Sequence, residues 1–238
     1  MTYEANMNER SPSNAALTNT FIDVMGRVYL WMAAGLGVTA VTATVVAQSE
    51  GISSLVGDNL IVFFGLFAGQ LGLVIVISRA IHSIAPGIGL GLFFLYSALM
   101  GVSLSVLLLV YDLGTLTVAF GSAAALFVAM ATLGLTTKKD LTSMGALLFL
   151  GLIGLIITSV ANAFIGSSPL EYIISFAAIG IFMGLTAYDS QRIKTMTLEA
   201  LTAGETQTVS RIGVIGALSL YLDFINIALS ILTILGDD

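Results

Sequence analysis

The sequence predicts an all-α, polytopic membrane protein: a single bundle of seven transmembrane helices. The first observation is composition, because hydrophobic residues make up 57% and charged residues 9% of the chain, with a mean hydropathy of +1.02. The second is a series of seven apolar segments, each about 20 residues long and so able to cross a ~30 Å hydrocarbon core. The third is that every lysine and arginine falls on one side of a seven-span arrangement.

Residues 1–20 are polar and contain no apolar core, so we expect a disordered cytoplasmic leader rather than a signal peptide. Residues 21–238 then form one seven-helix membrane domain. The predicted spans are Val28–Ala47, Leu60–Ser78, Ile88–Val110, Leu116–Leu135, Met144–Phe164, Leu170–Tyr188 and Ile212–Leu235. Pro86 and Pro169 stand at the entrances to the third and sixth spans, where a missing backbone N–H costs least.

Charge predicts the orientation of the chain. The basic residues precede span one, close span two, join spans four and five, and flank the loop between spans six and seven. The opposite loops carry acids: Glu50, Asp58, Asp112 and Glu171. The positive-inside rule therefore predicts a cytoplasmic N-terminus and an external C-terminus.

The sequence lacks the residues that several classes of function require. The chain has no cysteine, which excludes disulfides and thiol chemistry, and its eight basic residues are too dispersed for a nucleic-acid surface. The single histidine, His82, lies in a loop, and no hydrolase elbow, zinc-protease or phosphate-loop motif is present. We expect no enzyme activity and no tightly bound cofactor, although an intramembrane aspartyl protease is not excluded by residue type.

Two acids inside apolar segments require an explanation. Asp189 lies near the end of span six, and Asp223 lies within span seven. An unpaired charge at the bilayer centre costs roughly 2.5–3.5 kcal/mol on insertion scales, so intramembrane acids usually serve a function. Counting from Lys194 and Arg211 places the acids roughly 7–8 Å and roughly 18 Å from the cytoplasmic ends of their helices. We expect the two carboxylates to meet, and the alternative is that each is bonded separately to backbone or hydroxyl groups.

A meeting of these acids would create a proton-sensitive element. Two carboxylates in a low-dielectric site would share a proton and titrate as a coupled pair. The same oxygens could hold Ca²⁺ transiently, and Asn226, one turn beyond Asp223, could add an amide group. Arg79 at the end of span two is a candidate latch to the pair, or else a membrane-interface anchor. Gln70, deep in span two, could line a path or bond a neighbouring helix.

Several stretches resemble the Bax inhibitor-1 family (transmembrane Bax-inhibitor-motif proteins), and bacterial members most closely. They are Val28–Thr39, Phe93–Leu104, Gly134–Leu141, Thr186–Arg192 and Leu220–Asn226. The resemblance implies a seven-helix bundle with the last helix in the middle, and a pH-sensitive calcium leak. It also implies that Asp189 and Asp223 form the pH sensor and that Arg79 is the latch. A glutamate common in helix two of the family is replaced by Gln70, and the loop Thr195–Ser210 looks long for a bacterial member.

The expected function is therefore a pH-gated passive Ca²⁺ leak in the bacterial inner membrane, with the bilayer, protons and Ca²⁺ as its partners. Two alternatives stay open. One is a non-conducting membrane partner that restrains a protease or a stress complex, and the other is a proton-coupled transporter of a small solute.

Overall fold

The computed structural model describes residues 14–49, 51, 59–80 and 84–236. Seven main helices run through them: α1 Asn14–Ala47, α2 Leu60–Ala80, α3 Pro86–Leu104, α4 Leu113–Thr136, α5 Thr142–Ile165, α6 Ser168–Thr202 and α7 Thr206–Leu235. A short helical turn, Leu107–Val110, prolongs α3 after a break at Ser105. The described residues form no β-strand, so the all-α prediction is confirmed.

Six of these helices are long and apolar enough to cross a membrane. The seventh, α2, coincides with the predicted second span, and its stretch Phe64–Arg79 is shorter but equally apolar. As predicted, Pro86 and Pro169 lie in the first turns of α3 and α6. Asp112 caps α4 by accepting hydrogen bonds from the backbone N–H groups of Gly114 (2.7 Å) and Thr115 (3.1 Å).

Two predicted boundaries are wrong. Residues 14–20, assigned to a disordered leader, form the first turns of α1, while residues 1–13 lie outside the described part of the chain. The loop expected over Thr195–Ser210 is almost entirely helical, because α6 continues to Thr202 and α7 begins at Thr206. Asp189 therefore lies about 20 Å from the end of its helix rather than 7–8 Å.

A glycine closes the hairpin between α6 and α7. Gly204 adopts a left-handed conformation, with φ of 74°, that residues with a side chain rarely adopt. The backbone N–H of Glu205 donates to Ala200 O (2.9 Å), and that of Gly204 donates to Leu201 O (3.1 Å). These two bonds are the Schellman pattern, which satisfies carbonyls at a helix C-terminus while it reverses the chain. The reversal takes only residues 203–205, so α6 and α7 pack antiparallel along most of their length.

The last helix is the centre of the bundle. Fifteen residues of α7 are buried, compared with two in α5, and α7 packs against α1, α3, α4 and α6. Its buried side chains include Tyr221, Leu220, Ile225 and Ile227, each 1% exposed or less. At the periphery, α5 contacts mainly α6 and presents large apolar side chains outward, as a helix facing lipid does. The central position of the seventh helix is confirmed.

Candidate functional site

The two intramembrane acids come together at the interface of α6 and α7. Asp223 is 4% exposed, whereas Asp189 is partly exposed at the edge of the same interface. Their carboxyl groups lie close enough to interact electrostatically. The hydroxyl of Ser219 lies against Asp189, and that of Thr186 lies against Asp223. Each acid therefore faces a hydroxyl from the opposite helix.

The register of the hairpin explains this pairing. Asp189 and Ser219 each lie fifteen residues from Gly204, and Thr186 and Asp223 lie eighteen and nineteen residues from it. Two antiparallel helices that start from a tight turn bring such residues to the same level, because each rises ~1.5 Å per residue. The contact between the acids is thus set by their distances from one glycine.

The Asp223 carboxyl group is incompletely bonded. Its Oδ2 atom is buried and has no hydrogen-bond partner among the protein atoms of the described chain. The Thr186 hydroxyl has one proton, which it can direct either to the carbonyl of Phe182 (2.7 Å) or to the Asp223 carboxyl group. A protonated Asp223 can donate to Thr186 while Thr186 donates to Phe182, whereas a carboxylate gains this bond only when the Thr186 proton turns away from Phe182. The hydrogen bonds around Asp223 therefore depend on whether its carboxyl group carries a proton.

Positive charge near the pair is limited. Arg192 is the basic residue whose charge acts on Asp189, and its side chain is exposed. Arg79, the predicted latch, is also exposed, and no ion pair joins it to any acid that the structure describes. It lies at the end of α2, which packs chiefly on α3. His82 lies outside the described residues.

The two predicted amide residues have different surroundings. Gln70 is 8% exposed, and its Nε2 donates to Leu99 O (3.0 Å) and to Ser103 Oγ (2.7 Å) on α3. It therefore ties α2 to α3, which was one of its two predicted roles. Asn226 is half-buried, and its Nδ2 donates to Leu222 O (2.8 Å) within its own helix. Its side-chain carbonyl oxygen can still accept a hydrogen bond.

Sequence reasoning missed two side chains that hold α6 in place. Gln191 accepts a hydrogen bond from the backbone N–H of Leu141 (2.8 Å) and donates to Lys139 O (2.8 Å). Lys194 Nζ donates to Leu135 O (2.6 Å) near the C-terminal end of α4. All three partners are backbone atoms at least 50 residues away. No residue pattern signals such contacts, although a glutamine two residues after the acid was an unusual polar residue so close to an apolar span.

A second polar cluster lies on the other side of α7. The hydroxyls of Tyr221 and Thr39 are 2.6 Å apart, and Thr39 Oγ1 also lies 2.9 Å from the carbonyl of Ser97. Phe93 and Tyr96 pack edge-on against the Tyr221 ring. The cluster joins α1, α3 and α7 through one tyrosine, two residues before Asp223.

No group of three or more metal-binding side chains occurs in the described ranges. The pair itself offers two carboxyl groups, whose oxygens are of the type that hard divalent cations prefer.

Comparison with known proteins supports one family. The sequence profile described as "Inhibitor of apoptosis-promoting Bax1" matches residues 20–238. The inner membrane protein YbhL of Escherichia coli (strain K12) is 39% identical over 213 residues, which cover 90% of this chain and 91% of the relative. A protein of Borreliella burgdorferi is 40% identical over 89% of this chain and 90% of its own length. One from Deinococcus radiodurans is 38% identical over 88% of each. The chain is a membrane protein that belongs to the Bax inhibitor-1 family.

Proposed function

We propose that this protein is a passive Ca²⁺ leak channel that opens and closes as the Asp189–Asp223 pair gains or loses a proton. The observation that carries the proposal is the meeting of both carboxyl groups at one buried interface of the central helix. Two negative charges in that position repel each other strongly, and one shared proton removes most of the repulsion. Protonation therefore changes how α6 and α7 pack.

A change in α7 would reach most of the bundle. This helix contacts α1, α3, α4 and α6, so a shift or rotation by one residue alters four interfaces. Such a helix can have two packed states whose populations depend on the charge of the pair. We take Ca²⁺ as the permeant ion because carboxylate and amide oxygens are its preferred ligands, with Asn226 one turn above Asp223.

Arg79 is proposed as the latch of the deprotonated state. Its guanidinium is free of ion pairs with the described acids, so pairing with Asp189 or Asp223 requires α2 to move toward α6. Gln70 would oppose that movement because it bonds α2 to α3 through Leu99 and Ser103. The replacement of an acid by Gln70 also removes a charge that could attract cations into α2.

We further propose that the chain lies in the bacterial inner membrane, with its N-terminus in the cytoplasm and its C-terminus outside. The relative YbhL is described as an inner membrane protein. In the structure, Lys138, Lys139, Arg192 and Lys194 gather around one cavity, and the positive-inside rule places that end in the cytoplasm.

The test is Ca²⁺ entry into sealed liposomes that contain the purified protein, measured from acid to mildly alkaline pH. Asp223→Asn is compared with wild type, and Asp23→Asn, which changes an exposed acid of α1, is the matched control. The proposal predicts a leak whose pH dependence is lost in Asp223→Asn and kept in Asp23→Asn. A protein that shows no entry above empty liposomes at any pH contradicts the channel.

Other outcomes would identify the alternatives. Saturable uptake of a small solute driven by a pH gradient would indicate a proton-coupled transporter. Cleavage of a membrane peptide that either aspartate variant abolishes would indicate a protease. A protein that conducts nothing but is captured with a membrane protease complex, and whose capture survives Asp223→Asn, would be a non-conducting partner.

A further inference from the structure

Buried polar atoms without hydrogen bonds are concentrated along one line of the bundle. Five such side-chain atoms occur in the described residues: Tyr29 OH, Ser190 Oγ, Thr197 Oγ1, Arg211 Nε and Asp223 Oδ2. Buried polar groups are nearly always bonded, and an unpaired one usually bonds an internal water molecule. These five atoms are few, but most of them lie close to one another.

Two of the five, those of Ser190 and Thr197, lie on one face of α6, and the side chains of Tyr29 and Asp223 lie against hydroxyls of α6. Ser190 and Thr197 are seven residues apart on α6, and Thr186, which faces Asp223, is four residues before Ser190. Residues at this spacing lie above one another on a helix. All three are 0% exposed. Thr186, Ser190 and Thr197 thus form a row, the α6 hydroxyl row, that leads from Asp223 past the level of Arg192 and Lys194 toward the C-terminal end of α6.

Tyr29 of α1 covers the middle of this row. Its hydroxyl faces the Ser190 hydroxyl, but the two oxygens form no hydrogen bond of good geometry, and neither has another partner among the described residues. A water molecule between or beside them would satisfy both oxygens and bring a hydrogen-bond chain within reach of the acids.

One apolar layer interrupts the row. Ile193 lies on the same face between Ser190 and Thr197, is 5% exposed, and packs directly on the backbone of α7 at Gly216. The rise from Ser190 to Thr197 is about 10 Å, too far for a single bridging water. A proton that travels along the row must therefore pass Ile193.

The groups that titrate or carry charge around the row are few. They are Asp189, Arg192 and Lys194 from α6, Asp223 and Arg211 from α7, and Tyr29 from α1. The other two helices packed on α6 add none, because neither α4 nor α5 contains a charged or titratable residue. Uncharged hydroxyls are therefore the main buried polar groups of α6 between the acids and Thr197.

We propose that protons reach the Asp189–Asp223 pair along the α6 hydroxyl row and Tyr29. They would enter from the end of the bundle where Lys138, Lys139, Arg192 and Lys194 gather, and Ile193 would limit their rate of passage. Hydroxyls and water pass a proton along by donating one hydrogen bond while accepting another, so no charge has to remain on the row. The inference rests on the proposed function only in taking the pair as the sensor, because the route concerns how fast protons arrive.

The experiment follows protonation itself. The protein in liposomes is given a rapid pH jump, and the infrared carbonyl band of protonated carboxyl groups is recorded over time, with Asp223→Asn identifying the contribution of the pair. Ser190→Ala and Thr197→Val each remove one hydroxyl at little change in shape. In both variants the band is expected to appear about tenfold more slowly, which corresponds to a barrier raised by ~1.4 kcal/mol. The final band height at each pH should stay unchanged.

Two matched controls sharpen the test. Thr195→Val removes a hydroxyl from an exposed position of the same helix and should leave the rate unchanged. Ile193→Thr and Ile193→Val leave nearly the same space and differ in one hydroxyl, so the threonine variant should be the faster of the two. Wild-type rates in both Ser190→Ala and Thr197→Val would overturn the route. If protonation is slowed in these variants but the wild-type protein shows no Ca²⁺ entry, the proton route is supported and the proposed channel function is contradicted.

Discussion

The Tyr221 hydroxyl of α7 lies 2.6 Å from the Thr39 hydroxyl of α1, deep inside the bundle. Thr39 in turn reaches the carbonyls of Gly35 (3.0 Å) and Ser97 (2.9 Å). Because Thr39 has one proton and directs it to a carbonyl, Tyr221 is the donor between the two hydroxyls. A single tyrosine thus fixes the central helix to α1 while Asp223 faces α6 from the opposite side.

Tyr221→Phe should therefore weaken the bundle. The substitution removes one buried hydrogen bond, and we expect a loss of about 0.5–1.5 kcal/mol in the free energy of unfolding. Thermal or denaturant unfolding in detergent measures it. Tyr188→Phe, at a half-buried tyrosine with no hydrogen bond to the described residues, is the control and should be near neutral. Equal losses in the two variants would contradict the assigned bond.

Gly134→Ala should separate α4 from α6. A Cβ atom at Gly134 would collide with the backbone carbonyl of Ala187, which cannot move aside as a side chain would. Overpacking of this kind costs about 1–3 kcal/mol of unfolding free energy. Gly121, on the same helix, has open space around its Cα. We expect Gly121→Ala to be neutral or slightly stabilising, and an equal destabilisation of both variants would disprove the close contact.

Gln191→Ala should loosen the loop between α4 and α5. The side chain holds this loop through Leu141 N and Lys139 O, and the variant leaves both backbone groups without that partner. Trypsin can cut at Lys138 and Lys139, so cleavage there should become several times faster. Gln207→Ala changes an exposed glutamine near the start of α7 and serves as the control. An unchanged cleavage rate in Gln191→Ala would show that other contacts hold the loop.

The Asp112 cap should make stability depend on acid pH. Hydrogen bonds from the Thr115 hydroxyl and from the N–H groups of Thr115 and Gly114 lower the pKa of Asp112 below its ordinary value of 3.8. A lowered folded-state pKa means that the stabilisation is complete above the ordinary pKa and is lost as pH falls through the lowered one. Asp112→Ala should reduce the apparent melting temperature by roughly 2–4 °C at neutral pH and by less in strong acid.

Asp112 also allows the pH dependence of stability to be distinguished from the pH dependence of Ca²⁺ entry. Because the pKa of Asp112, like that of Asp140 at the start of α5, is lowered, both groups stay ionised through mildly acidic pH. A change in Ca²⁺ entry over that range should therefore survive Asp112→Ala. Loss of the pH response in that variant would mean that the sensor lies in the loops.

The sequence predicted the fold class, the number of helices and the meeting of Asp189 with Asp223, because hydropathy and charge placement depend directly on the membrane. It did not predict the length of α6, since residues 190–202 are too polar to extend an apolar span. The signal was nonetheless present: Ile193, Thr197 and Ala200 are spaced as on one helix face, and Gly204 is a typical helix end. The start of α1 was missed for the same reason.

The surroundings of the acids were less accessible to sequence reasoning. The contact of Ser219 with Asp189 follows from the tight turn at residues 203–205, which lies within the predicted loop Thr195–Ser210 but is much shorter than that loop. The bonds of Gln191 and Lys194 end on backbone atoms, and any residue type would supply those. The clustering of unpaired hydroxyls around Ser190 depends on how α1 crosses α6, and no local pattern encodes that crossing.

The most direct test of the account compares four proteins: wild type, Asp189→Asn, Asp223→Asn and the double variant, each assayed for Ca²⁺ entry across pH. If the two acids act as one protonatable unit, either single variant removes the pH response and the double variant adds nothing further. Additive effects, or a pH response that persists in the double variant, would contradict the claim that the Asp189–Asp223 pair is the sensor.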